Sequence, residues 1–300
     1  MNMPSWMNGP PKRILLATDL SPRCDRALDR VVLLADQWQA KLVIVHVLEE
    51  PEPNMTDPTG RLPSWRRPSD PLSVARKQLH TDVGPVAGHA TVVIETGDPV
   101  DAIIRTAENE DCGLIVTGLA RDEILGRFLL GRTVDRLLRR SQVPLLVVKN
   151  RARAPYRHVV VATDFSNPSR HALEAAAHMF PYQRLTVFNA YEAPLSGRMI
   201  DSAPYQRQYR TAVEQECDAF LQTMKKPDQW QSPNVLIEHG APWELLREYV
   251  QEKAVDLVVL GTQGRSAVME VLLGSVAKMI VDEVHCDALV IRAPPAATEI

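Results

Sequence analysis

The sequence has no run of about 18 apolar residues, so it predicts no membrane-spanning helix. It has no basic surplus either: 34 Lys and Arg stand against 37 Asp and Glu, a net charge of −3. Binding to a phosphate backbone usually shows as such a surplus, so nucleic acid is not an expected partner. Cysteine is sparse. Cys24, Cys112, Cys217 and Cys286 are far apart and form no C-x-x-C pair, which argues against a disulfide framework or a zinc site. Residues 1–12 are polar, hold three prolines and lack the apolar centre of a secretory signal. Reduced, buried thiols in a cytoplasmic protein are the expectation.

The eight histidines show no paired metal spacing, and there is no Walker A, G-x-S-x-G or H-E-x-x-H sequence. His46 and His158, in or beside apolar runs, are expected to pack. His285 lies beside Cys286 but lacks two further ligands. Trp65-Arg66-Arg67 reads as surface rather than as nucleic-acid recognition.

What the sequence does contain is itself, twice. Lys12-Arg13-Ile14-Leu15-Leu16-Ala17-Thr18-Asp19-Leu20-Ser21-Pro22 returns as Arg157-His158-Val159-Val160-Val161-Ala162-Thr163-Asp164-Phe165-Ser166-Asn167-Pro168. Glu95-Thr96-Gly97-Asp98-Pro99 returns as Glu238-His239-Gly240-Ala241-Pro242, and Leu114-Ile115-Val116-Thr117-Gly118 as Leu257-Val258-Val259-Leu260-Gly261. The blocks recur at a spacing of about 143 to 145 residues. One domain present twice explains a single long period; a solenoid needs shorter and more numerous units. The boundary falls at residues 150–155, polar and ending in proline, which divides the chain into 1–150 and 151–300.

Within the first copy, runs 14–17, 42–47, 91–94, 114–117 and 145–148 are rich in Val, Ile and Leu. Continuous apolar runs suit strands covered on both faces. Amphipathic stretches separate them. Ser21 is a candidate N-cap for a helix over 22–38, and Asp98-Pro99 opens another with proline in its first turn. Alternation of this kind predicts βαβ units and a parallel sheet, with five strands and about four helices per copy. The Pro-rich polar segments 49–71 and 192–204 read as connectors, with a lid over a ligand as the alternative.

The second copy follows its fourth strand with Gly261-Thr262-Gln263-Gly264-Arg265 and then Gly274-Ser275-Val276. Glycines at a strand's C-terminal end let the backbone turn and approach a ligand. Gly274-Ser275 opens an apolar helix, whose N-terminus offers unpaired N–H groups and a positive dipole end to phosphate. Ser275 adds a hydroxyl donor or caps the helix. Asp164 ends the first strand, and ligands of open α/β sheets bind beyond the strands' carboxyl ends where strand order reverses. If the first and fourth strands are neighbours there, Asp164 faces the glycine loop, where a carboxylate can accept from ribose hydroxyls.

Thr-Asp-Phe-Ser at 163–166, Gly-Thr-Gln-Gly-Arg at 261–265 and Leu-Leu-Gly-Ser-Val-Ala at 272–277 resemble the universal stress protein family, and the resemblance covers nearly the whole chain, twice. It implies two doubly wound α/β domains, each a five-stranded parallel sheet of order 3-2-1-4-5 flanked by helices. It implies that ATP is bound, with Mg2+ on its phosphates, by a protein acting in stress response or signalling. Ala162, Thr163 and Asp164 would border adenine and ribose, and Ala190 would face adenine through its backbone. Gly261, Gly264, Arg265, Gly274, Ser275 and Val276 would hold ribose and phosphates. Pairing of the fifth strands, around 145–149 and 288–292, would make the halves an intramolecular pseudo-dimer, with a homodimer also open.

The first copy departs from this pattern. Arg121 stands in place of the second glycine and Arg132 in place of the serine, while Asp19 is kept. A side chain at 121 disfavours positive φ and close approach. Weakened or lost ATP binding there is the expectation, and another anionic ligand the alternative. The run Arg132, Arg136, Arg139 and Arg140 reads as a solvated helix face. Two other functions stay open: a slow ATPase, for which no general base is evident, and an interaction scaffold independent of nucleotide. Adenylation chemistry is disfavoured, because the Ser-Gly-Gly-x-Asp-Ser loop of related adenylating enzymes is missing.

Overall fold

The computed structural model describes residues 5–48, 70–84, 89–121, 128–192, 203–262, 264 and 273–293. Most of the two Pro-rich connectors, Trp65-Arg66-Arg67 and Arg265 therefore lie outside the described residues.

The first half runs β1 (Arg13–Thr18), α1 (Pro22–Trp38), β2 (Lys41–Leu48), α2 (Pro71–Val83), β3 (Ala90–Thr96), α3 (Pro99–Asn109), β4 (Leu114–Gly118), a short hairpin of β5 (Ala120–Arg121) and β6 (Phe128–Leu129), α4 (Arg132–Arg140) and β7 (Leu145–Val148). The second runs β8 (Val159–Ala162), α5 (Asn167–Met179), β9 (Thr186–Tyr191), α6 (Ala203–Gln222), β10 (Asn234–His239), α7 (Pro242–Glu252), β11 (Leu257–Gly261), α8 (Ser275–Glu283) and β12 (Asp287–Ile291). Asp98 caps α3, its carboxylate accepting from the N–H groups of Val100 and Asp101 at 3.0 and 3.1 Å. Ser21 holds the N-cap position of α1 by backbone, but its side chain makes no cap bond.

The strands form one continuous ten-stranded sheet in the order β10-β9-β8-β11-β12-β7-β4-β1-β2-β3. Counting main-sheet strands alone, each half reads 3-2-1-4-5 and is parallel throughout. The fifth strands of the two halves, β7 and β12, pair as expected, antiparallel, and fuse the halves into that single sheet. The first half also inserts the β5–β6 hairpin, which has no equivalent in that expectation. Leu146 pairs with Leu289 at the centre of the junction. These residues are 143 apart, the spacing of Gly118 and Gly261, so equivalent positions face each other across a local twofold.

Helices cover both faces. α1, α2, α5 and α6 share one apolar layer that crosses the junction, and α3, α4, α7 and α8 share the other. The interiors of the inner strands are buried Val, Ile and Leu, each contributing about 1.5–3 kcal/mol relative to exposure, while the edge strands β3 and β10 leave Val92 and Val235 exposed. Two-sided coverage explains why these strands read as unbroken apolar runs. The N-terminal 3-10 turn (Ser5–Asn8) lies against α5 of the other half, with Trp6 buried and its ring 6.4 Å from those of His171 and His178. Residues 5–8 of the first half thus pack with the second half.

Charge is also buried at the junction. The Asp287 carboxylate accepts from the backbone N–H groups of Lys149 and Asn150 and, at 2.6 Å, from the Tyr156 hydroxyl. Arg30 of α1 completes the group, 3.3 Å from Asp287 and with its guanidinium 3.8 Å above the Tyr156 ring.

Candidate functional site

β8 ends in a turn that aims Asp164. The Thr163 N–H donates to the Phe188 carbonyl at 2.9 Å, and the Asn189 amide donates to the Thr163 carbonyl at 2.8 Å. The chain then reverses through Phe165, whose φ is +60°. Two side-chain acceptors hold that turn: Thr163 Oγ1 takes the Phe165 N–H at 2.9 Å and Asp164 Oδ1 takes the Ser166 N–H at 3.1 Å. One oxygen of Asp164 is thereby committed locally, while the carboxyl group borders the cavity beyond the strand ends.

Opposite stands the glycine loop, since β8 and β11 are parallel neighbours. A Cβ on Gly264 would come within 2.6 Å of Asp164 Oδ2, closer than such atoms approach. Glycine at 264 is what lets the carboxylate reach the loop. Gly261 answers to a different demand: a Cβ there would meet the Pro168 carbonyl oxygen at 3.0 Å, so the strand end packs directly on the start of α5. The loop's two ends are tied, with Thr262 N–H donating to Ile291 O at 3.1 Å and Gly274 N–H to Thr262 O at 2.8 Å.

Gly274 is the N-cap of α8 and no side chain caps it. Ser275 is the first helical residue, which corrects the reading of it as a cap. Among the described residues no side chain takes the first-turn N–H groups of α8, which lie at the positive end of the helix.

Nine of the ten expected residues line one cavity of about 320 Å3: Ala162, Thr163, Asp164, Ala190, Gly261, Gly264, Gly274, Ser275 and Val276. Arg265 lies outside the described residues. The sequence reading missed the apolar floor, formed by Phe188, Leu246, Leu260 and Ile280. The signal for Phe188 was present, because side chains two apart on a strand share a face and Ala190 was already placed there.

The first half builds the corresponding cavity, about 330 Å3, from Thr18, Asp19, Gly118, Gly131, Arg132 and their neighbours. Asp19 accepts from the Ser21 N–H at 2.9 Å and lies 3.2 Å from the Cys24 sulfur. His46 takes the place of Asn189, its Nδ1 2.9 Å from the Thr18 carbonyl, which is a packing role. His158 is likewise structural, 3.1 Å from the Lys253 carbonyl. Arg121, where the other half has Gly264, belongs to the extended β5–β6 hairpin, a conformation that needs no glycine. The arginines of α4 are not simply solvated. Arg136 makes two bonds to Asp98 at 2.7 and 3.1 Å, Arg139 pairs with Asp135 and Arg140 with Asp101. The Arg136 bonds hold the Asp98 carboxyl below its usual range. Arg132 lines the cavity at the first position of α4.

All four cysteines are free and buried, and burial raises their thiols to about 11 or 12. Among the described residues no His, Cys, Asp or Glu cluster could hold a metal ion, and no helix is long and apolar enough to cross a membrane.

The family model described as "Universal stress protein family" matches residues 10–149 and again 155–292. A universal stress protein E homolog of Haemophilus influenzae is 21% identical over 211 residues, covering 67% of this chain and 68% of its own. A universal stress protein of Methanocaldococcus jannaschii is 27% identical over 147 residues, covering 46% of this chain and 84% of its own. Among solved structures, a universal stress protein from Archaeoglobus fulgidus has the same fold, with a TM-score of 0.63 at 20% identity over 94% of this chain and 98% of that one.

Proposed function

Because this chain belongs to the universal stress protein family, we propose that its second half binds ATP, as a ligand whose occupancy changes shape or partner choice in stress response or signalling. The observation that carries this reading is the approach of Asp164 to Gly264 at the mouth of the 320 Å3 cavity. A carboxylate there accepts from ribose hydroxyls. Phe188, Leu246, Leu260 and Ile280 offer an apolar floor to the base, and the Ala190 backbone borders it. The phosphates fall to the glycine loop, Arg265 and the uncapped N-terminus of α8, where dipole and free N–H groups favour anions.

The donor set fits a nucleotide better than a bare metal ion. Asp164 is the one ionisable side chain among the described lining residues. Mg2+ would therefore be carried on the phosphates, as suits an ion that keeps much of its water. The reading assigns Asp164 to the ribose, which leaves hydrolysis without an evident base and makes ATP a ligand rather than a substrate.

Calorimetric titration of nucleotide-stripped protein with ATP and Mg2+ tests this. One ATP per chain is expected, abolished by Gly264→Val. Two per chain would contradict the assignment to the second half. None, with the protein folded, would replace the reading with a nucleotide-independent scaffold.

A further inference from the structure

Lys149 follows β7 and is fully buried. A buried ammonium needs partners, and its partners lie in the other half of the chain. Its Nζ donates to the carbonyls of Val281 at 2.5 Å and Val284 at 2.6 Å, at the C-terminal end of α8. Carbonyls there are unpaired within the helix and carry its negative dipole end, so a cation is the fitting neighbour.

The same contact is made in the opposite direction. Arg292 follows β12, 143 residues after Lys149, and its guanidinium donates to the Arg139 carbonyl at 2.5 Å, at the C-terminal end of α4. Both helices are nine residues long, and each turns its N-terminus to a cavity. The strand ends that carry the two cations also hold the cavity loops: Val148 O accepts from Leu119 N–H and Ile291 O from Thr262 N–H, both at 3.1 Å. β6 of the first half lies against α8 as well.

We propose that Lys149 and Arg292 are reciprocal positioning residues: each half sets, from across the junction, the helix that faces the other half's cavity. The second cavity is then incomplete without the first half, although no first-half side chain lines it among the described residues. A cation at one end of α8 fixes the axial position of the amides at the other end, and phosphate contacts depend on that position. The ligand part of this proposal rests on the nucleotide reading; the reciprocal clamping does not.

The experiment is hydrogen exchange on the full ligand-free chain, comparing wild type with Lys149→Met and Arg292→Met. Amides of α8 from Lys278 to Val284 are expected to exchange at least tenfold faster in Lys149→Met, with α4 changed less than threefold. Arg292→Met is expected to reverse that pattern. If Lys149→Met does not fold, Lys149→Gln, which keeps an amide donor, is read in the same way. Equal loosening of both helices in either variant would reduce the two residues to general stabilisers and overturn the proposal, as would no change in either. ATP titration of the same variants separates the two ideas. Wild-type binding weakened about tenfold by Lys149→Met supports the clamp as a determinant of the site. Unchanged binding overturns that determinant role. A wild type that binds no ATP but shows the crossed exchange pattern overturns the nucleotide reading and leaves the clamping established.

Discussion

Ser275 opens α8 and Arg132 opens α4, and around these two positions the halves of this chain diverge. The turns and helix starts that frame the two cavities correspond. Thr163 and Thr18 accept from the turn residue two places on, Phe165 and Leu20 take φ of +60° and +59°, and Pro242 and Pro99 begin equivalent helices. The cavities even match in volume, about 320 and 330 Å3. What differs is the wall. Thr117 replaces Leu260, Val45 replaces Phe188, and an extended hairpin carries Arg121 where the other loop has Gly264 against a carboxylate. A duplicated backbone preserves a cavity because packing of the sheet and helices creates it. Ligand choice depends on a few wall and mouth positions that the fold does not constrain.

The largest effect should fall on both halves at once. Asp287→Ala would leave Arg30 buried without its carboxylate, which costs about 3–5 kcal/mol when a buried pair loses one partner. Urea denaturation should show one transition shifted by that amount. Two transitions would mean that the halves unfold separately despite their shared sheet.

Glycine substitutions in the two cavities then separate the halves. Gly264→Ala drives a methyl into Asp164 and should weaken ATP binding about a hundredfold, roughly 2.7 kcal/mol. Gly131 has an ordinary φ of −64°, and a Cβ there meets nothing within 4 Å, so Gly131→Ala should leave ATP affinity within about twofold. Equal losses, read by calorimetry, would break the asymmetry.

The smallest effect is a pH dependence at the junction. Burial pushes Lys149 down to about 8 from 10.5, against the opposing pull of Cys286, Asp287, Asp282 and Glu283. Below about pH 8 the folded and unfolded states both carry the proton, and folding bears the burial of a charge. Between about 8 and 10.5 the unfolded state binds more protons, so stability relative to Lys149→Met rises with pH. From about pH 7 to 9.5 that difference should grow by roughly 1–2 kcal/mol in parallel urea titrations. A difference that shrinks would mean that the ammonium is held charged by its neighbours.

Much of the molecule was legible before the structure. The repeat, the strands and the helix starts after Ser21 and Asp98 are written in residues close together in the chain. They express backbone and burial demands locally: β-branched runs for covered strands, proline in first turns, glycine where a side chain cannot fit. Asp164 and Gly264 could be placed together because parallel β1 and β4 equivalents bring their ends to one edge. The demands on the two glycines could not be told apart, since Gly261 answers to α5 and Gly264 to a carboxylate.

Lys149 and Asp287 were not legible at all. A lysine after an apolar run reads as a strand end meeting solvent, and an aspartate before one reads as a turn. Their burial arises only when β7 and β12 pair and bring together residues 138 apart in the chain. The sequence by itself determined two copies of one α/β domain and the residue types at the second cavity, because those follow from short-range pattern. Only the tertiary structure decided that the junction buries Lys149 and Asp287 and that the C-termini of α4 and α8 each take a cation from the other half, because an unpaired carbonyl or a buried charge finds its partner through space, not along the chain.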